Sequence, residues 1–255
     1  MQICTLASGS SGNAALVRHG DTAILVDAGL SALALADAMQ RQGVDPGSIT
    51  AVCVTHEHGD HVRGAGAFAR RYRVPVYATP GTLRASARQF NRVAVHGVPA
   101  GEFRLRDVRV SVVPIPHDTT EPACYRFDAD GASVAVATDM GHVDPAVLDS
   151  LAGVQAMVWE SNHDPDMLWN GPYPAHLKAR ITGGKGHLPN EQSAAALRDL
   201  ARDGLQQVLL AHLSETNNLP MLALAAAQSA LGDLVQPPGL QVAPRFAPSD
   251  WLVVR

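Results

Sequence analysis

Seven residues constrain this chain more than any other stretch: Thr55-His56-Glu57-His58-Gly59-Asp60-His61, directly after the apolar run Ala51–Val54. Three imidazoles and two carboxylates fall within six consecutive positions, in a chain with only 11 histidines. At the end of a buried strand such side chains are unfavourable, because desolvation and like charge both oppose imidazolium. A metal ion removes both problems by taking the lone pairs of neutral imidazoles. His56 and His58 stand two apart, so on an extended backbone they project to the same side and can chelate one ion. Asp60 and His61 lie past the bend at Gly59 and can aim at a second ion beside the first. HxHxDH therefore reads as half of a two-metal site. It is not the HExxH of zincins, whose histidines need helical i, i+4 spacing.

The remaining ligands must come from elsewhere. His117 in PIPHD, Asp139 in VATDMG and His212 in VLLAHLS each follow an apolar run, as a ligand held at the rim of a sheet would. Asp139 suits a bridge, because one carboxylate can give an oxygen to each ion. Taken alone, each could be an ordinary polar residue at a strand end; as an ordered set after HxHxDH they read as ligands.

Strand-like runs recur at 2–6, 14–18, 23–26, 51–54, 74–78, 108–115, 133–137, 155–159 and 207–211. Helical spacing fits 32–42, 64–72, 80–90, 145–151, 191–203 and 220–231, with Asn190 as a candidate N-cap for the fifth. The stretch 102–137 is mostly strand and turn, whereas both ends alternate strand with helix. This predicts an α+β chain of two packed mixed sheets flanked by helices. With no repeat, linker or low-complexity tract, residues 1–255 read as one domain. The ASGSSGN run, 7–13, reads as a tight strand-to-strand loop; a P-loop is excluded because the GK[ST] ending is missing.

The formal charge is −4, from 20 Lys+Arg against 24 Asp+Glu, but it is unevenly spread. Residues 62–111 hold ten arginines and only Glu102 and Asp107 as acids, a local balance of +8 that leaves −12 for the remainder. Arginine pairs with phosphate through a rigid fork, so this stretch is compatible with a polyanionic substrate despite the net sign. Its plainer reading is a solvated helix face. There is no apolar run long enough to cross a membrane, and the opening residues, which go straight into strand-like sequence, predict no secretory leader. The odd set Cys4, Cys53 and Cys124 reads as buried thiols in a reducing cytoplasm.

The ordered set THEHGDH, His117, Asp139 and His212 resembles the metallo-β-lactamase-fold hydrolases, over most of the chain from Leu6 to about Leu213. More narrowly, LASGSSGN, PHD at 116–118, ESNHD at 160–164, GxYPxxLKxRIxxxxGHL at 171–188 and LAHLSETNN at 210–218 resemble the YycJ branch, also called WalJ or VicX. The resemblance implies an αββα four-layer sandwich with the metals at one edge, and a 5′–3′ DNA exonuclease activity. It puts His56, His58 and His117 on one ion, Asp60, His61 and His212 on the other, and Asp139 between them. It also gives Glu160 a supporting role behind a metal-ligating histidine.

Two divalent ions, zinc or manganese and also iron by donor type, would hold a bridging hydroxide and clamp the phosphoryl oxygens of an in-line displacement. Asp60 could accept a proton from that nucleophile. His187, with His163 second, is the candidate donor to the leaving oxygen, and Lys178, Arg180 and Lys185 are candidate phosphate contacts. The expected substrate is nucleic acid, DNA before RNA. The alternative is a small-molecule hydrolase of the same fold acting on a thioester, lactone or cyclic phosphodiester; a metal-stabilised scaffold without turnover is a third reading.

Overall fold

The computed structural model describes residues 1–254. The first sheet is built from β1 (Gln2–Ala7), β2 (Ala14–His19), β3 (Thr22–Val26), β4 (Ala51–Cys53), β5 (Val76–Ala78) and β6 (Val95–Gly97). The second contains β7 (Gly101–Leu105), β8 (Val108–Pro114), β9 (Ala123–Ala129), β10 (Ala132–Ala137), β11 (Ala156–Glu160), β12 (Gln207–Ala211) and β13 (Gly239–Val242). The short β14 (Leu252–Val253) returns to pair with β1, giving the order β14-β1-β2-β3-β4-β5-β6 beside β13-β12-β11-β10-β9-β8-β7.

Both sheets follow one plan. β1, β2 and β3 are antiparallel hairpin neighbours, and then β3 to β6 run parallel. β7 to β10 are likewise antiparallel, and β10 to β13 parallel. Parallel neighbours require crossovers, and these carry the helices α1 (Ala32–Arg41), α2 (Gly59–Val62), α3 (Ala65–Tyr72), α4 (Pro80–Ala85), α5 (Pro145–Leu151), α6 (Pro165–Asn170), α7 (Ala175–Ile181), α8 (Asn190–Ala201) and α9 (Pro220–Leu231).

Three apolar layers result. The central one lies between the sheets, where Ile3, Val17, Ile24, Val110, Tyr125, Phe127, Val134 and Val158 interleave. Leu25, Leu35, Met39, Phe68 and Val76 fill the space between the first sheet and its helices. Trp159, Leu197, Leu200 and Leu210 do the same on the far side. This is the four-layer αββα arrangement, because strands buried on both faces read as continuous apolar runs rather than as alternation. All three cysteines are free and buried, and no helix among the described residues is long and apolar enough to cross a membrane.

Two local expectations are corrected. The helix expected over 80–90 ends at Ala85, and the following residues turn back so that Arg70 can donate to the carbonyls of Gln89 and Asn91. Asn190 is the first residue of α8 rather than its cap; its side chain is taken by Ser161 and Asn218, and Pro189 holds the cap position.

Candidate metal centre

The site lies where strands of both sheets end. Asp27 follows β3, Thr55 and His56 follow β4, His117 lies three residues past β8, Asp139 follows β10 by two, Glu160 closes β11, and His212 follows β12. Carboxyl ends of parallel strands are where open α/β sheets place ligands, since backbone groups and diverging loops converge there. Three of these residues sit in left-handed backbone: Asp27 (φ 59°), Asp139 (φ 64°) and His212 (φ 56°). That conformation is unfavourable for residues with a Cβ, and it turns each side chain sharply out of its strand into the cleft.

The HxHxDH segment is seated by backbone contacts. His58 precedes α2, which carries Asp60 and His61 inward. The amides of Asn13 and Ala28 donate to the carbonyls of Asp60 and His61, each at 2.7 Å. So close an approach needs glycine opposite: a Cβ at Gly29 would lie 1.7 Å from the Asp60 carbonyl oxygen, and one at Gly64 the same distance from that of Leu30.

Four overlapping donor groups result, each with its ligand atoms within 4.8 Å of one another: His56, His58 and His117; His56, His61 and Asp139; Asp60, His61 and His212; and Asp139, Glu160, His187 and His212. Asp139 reaches Nε2 of His61 at 3.2 Å through one oxygen and Nε2 of His117 at 3.7 Å through the other, so it lies between the two ends. The outer nitrogens are tied down. Nδ1 of His117 donates to the Gly186 carbonyl at 3.1 Å, Nδ1 of His61 to Asp27 at 2.8 Å, and Nδ1 of His212 to Glu160 at 3.0 Å. Each bond leaves Nε2 as the nitrogen that faces the cleft.

Charge and burial both fit cations here. Burial holds the His56, His58 and His117 rings below the ordinary imidazole range, so they are neutral donors. His61 and His212 go the other way: burial opposes their protonation, but Asp139 with Asp27 lifts the first, and Asp139, Asp60 and Glu160 lift the second. Despite their own burial, Asp60 and Asp139 stay well below the carboxylate range through His212 and His61. Buried carboxylates so concentrated demand positive charge. Nε2 of His56, Nε2 of His212 and Oδ2 of Asp139 are buried and find no hydrogen-bond partner among the described residues. Unpaired buried polar atoms are costly unless a ligand takes them, and these converge on the same space. The donor set fits two divalent ions.

Two contributors carry no signal in the sequence. Asp27 orients His61 and also accepts from the Thr55 amide and hydroxyl, each at 2.8 Å. Asn13, at the end of the ASGSSGN loop, points Nδ2 at Asp60 (3.3 Å) and at Nε2 of His61 (3.1 Å). That loop is the β1–β2 turn, and it also walls the site.

Glu160 is fully buried and shared: Oε1 accepts from both His187 (2.8 Å) and His212, while Oε2 accepts from the Met140 amide (2.8 Å). His163 stands outside the donor groups, 2% exposed, with Nδ1 unpartnered. Lys178 donates to the Trp169 carbonyl at 2.6 Å, and Arg180 to Asp118 at 2.6 Å; Lys185 is exposed on the loop before His187.

The arginines of 62–111 do not form one groove. Arg63 is at the rim, donating to the carbonyls of Gly29 and Ser11. Arg104, Arg106 and Arg109 sit on the β7–β8 hairpin, whose turn meets the β2–β3 turn through Arg106 to the Asp21 carbonyl and Thr22 to Asp107. β3 and β8 both run from that end toward the site, so these three arginines lie at the opposite edge of the sandwich.

The architecture is that of a metallo-β-lactamase-fold metal-dependent hydrolase. The Beta-lactamase superfamily domain matches residues 22–213, and the chain belongs to that family. It is 36% identical to Exodeoxyribonuclease YycJ of Bacillus anthracis over 88% of this chain and 86% of that one. With Exodeoxyribonuclease WalJ of Streptococcus pneumoniae it shares 33% identity over 86% of this chain and 83% of that one. The crystal structure of the metallo-beta-lactamase fold protein YhfI from Bacillus subtilis superposes with a TM-score of 0.74, at 14% identity, covering 97% of this chain and 98% of that one.

Proposed function

We propose that this chain is a di-metal DNA exonuclease that cleaves phosphodiester bonds in the 5′–3′ direction. The observation that carries the proposal is the pair of adjacent donor groups joined by Asp139, in a chain this similar to two proteins named exodeoxyribonucleases. We assign His56, His58 and His117 to one ion, Asp60, His61 and His212 to the other, and Asp139 to both. Nitrogen-rich donors suit zinc, and the aspartates also admit manganese or iron. When bound, two such ions lower the pKa of water toward ~7 and neutralise charge on the phosphoryl oxygens.

The chain's own groups supply the rest. Asp60, partly exposed at the cleft and held ionised, is placed to accept a hydrogen bond from the attacking water and orient it. His187 is the donor to the leaving oxygen: its Nδ1–H is held by Glu160, so the ring can deliver a proton from Nε2 while the carboxylate stabilises the imidazolium. His163, buried beyond the donor groups, serves as a core residue. Arg180, which lines the cleft beside His187, favours phosphate there, and the exposed Lys185 precedes His187 by two residues in the chain.

A second reading, a small-molecule hydrolase, is favoured by the separation of Arg104, Arg106 and Arg109 from the site. One panel separates the two. Duplex and single-stranded DNA labelled at either end, RNA, a thioester and bis-nitrophenyl phosphate are incubated with the metal-loaded protein. Release of nucleotides from the 5′ end, abolished by chelator and by His56→Ala, is expected. Thioester turnover with intact DNA would overturn the nuclease reading, and metal analysis of the same preparation identifies the ions.

A further inference from the structure

Beside His187 the cleft continues into a cavity of about 160 Å³, bounded by Ser10, Asn162, Tyr173, Leu177, Arg180 and His187. Its volume is well below the ~300–1,000 Å³ of pockets for drug-sized ligands, and it holds only a few waters' worth of space. That is space on the scale of one flat heterocycle rather than of a base pair. The walls differ in character. Tyr173 and Leu177, both half-buried, give an aromatic and an aliphatic surface, while Ser10 and Asn162 give hydroxyl and amide edges.

The outer wall adds little to the core. α7 buries none of its side chains, and seven residues are too few to be helical by propensity alone. Yet the segment is firmly placed. Lys178 fastens it to the Trp169 carbonyl, and Arg180 to Asp118, whose other oxygen lies 3.5 Å from Nε2 of His117. Its far end is closely packed: a Cβ at Gly186 would lie 2.0 Å from the Ile181 carbonyl oxygen, and one at Gly141 would lie 2.4 Å from the backbone of Gly184. An element anchored to the metal-site residues but absent from the core is there for what it faces.

We infer that this cavity is a subsite for one unpaired nucleotide, whose base stacks on Tyr173 against Leu177 while its phosphate lies at the donor groups between Arg180 and His187. The inference rests on the phosphodiesterase reading above and deepens it. Stacking on an aromatic ring tolerates every base, and the adaptable edges of Ser10 and Asn162 add no strict code, so the subsite selects a free strand end rather than a sequence. A duplex terminus must fray by one pair before it enters.

The test compares Leu177→Trp, which fills the cavity, Tyr173→Ala, which removes the ring, and Tyr173→Phe, which keeps it. The metal-loaded proteins are assayed on a single-stranded oligonucleotide and on bis-nitrophenyl phosphate, which is too small to span both places. A further readout is the fluorescence of an oligonucleotide ending in 2-aminopurine, quenched when its terminal base stacks. Leu177→Trp and Tyr173→Ala are expected to raise the ratio of oligonucleotide KM to small-diester KM about ten-fold and to abolish the quench. Tyr173→Phe keeps both near wild type. An unchanged ratio in the first two variants overturns the subsite and leaves the nuclease reading standing. Equal loss on both substrates also overturns it, by making α7 part of the metal site itself. If the wild-type protein turns over the small diester but no oligonucleotide, the nuclease reading falls and the subsite with it.

Discussion

One oxygen of Asp27 holds Nδ1 of His61 at 2.8 Å and the Thr55 hydroxyl at the same distance. It thereby fixes which nitrogen His61 turns to the cleft. Losing such a partner typically weakens metal affinity ~10–100-fold. Asp27→Ala is expected to do so in a chelator-competition titration, and Asp27→Asn to fall between it and wild type. Wild-type affinity in Asp27→Ala would remove this carboxylate from the site.

Gly29 offers a test that touches no ligand. With the Asp60 carbonyl oxygen 1.7 Å from where a Cβ would stand, Gly29→Ala must push the HxHxDH turn away from the loop after β3. Overpacking of this kind costs ~1–3 kcal/mol. Denaturant unfolding should show that loss, with reduced metal content, whereas Gly59→Ala, with nothing within 4 Å of its Cβ, should show much less.

Proton delivery by His187 predicts dependence on the leaving group. His187→Ala is expected to lower kcat on DNA by ~10²–10⁴. On a nitrophenyl diester, whose leaving group needs no proton, the loss should be far smaller. Equal losses on both substrates would make His187 a binding group instead.

His163 predicts a pH dependence of stability. Burial, only partly opposed by Glu160, lowers its ring to about 4, against ~6.5 in the unfolded chain. Between those values the unfolded chain binds the extra proton, so stability is full above pH ~6.5 and declines as the pH falls toward 4. The contribution is on the order of 3 kcal/mol. Urea unfolding at pH 7 and pH 4.5 should show His163→Gln losing less of its stability across that window than wild type does. Parallel declines would place the acid sensitivity elsewhere.

The ligand motif was legible in the sequence because its chemistry is dense and contiguous, and His117, Asp139 and His212 because each ends an apolar strand. Asp27 ends a strand too, but a lone aspartate before Ala28-Gly29 looks like any turn residue; only the fold brings it under His61. Asn13 was hidden in a loop whose composition speaks of turning, not of what its last side chain reaches. The +8 stretch misled in the opposite way. Charge that is local in sequence is split by the β7–β8 hairpin, which carries Arg104, Arg106 and Arg109 to the far edge while Arg63 stays at the rim. β6, β13 and β14 had too few residues to show a period, and their pairing is set by neighbours distant in the chain.

The division of the ligands between the two sheets has a consequence for biosynthesis. Of the candidate ligands, the first sheet brings His56, His58, Asp60 and His61; the second brings His117, Asp139 and His212. A nascent chain that stops short of His117 holds only the first set, and the left-handed turns at Asp139 and His212 do not yet exist in it. Domains generally fold as units, and here neither half contains the whole donor set. The centre therefore cannot assemble from one sheet alone: it closes only after His212 has been made and the second sheet has packed on the first.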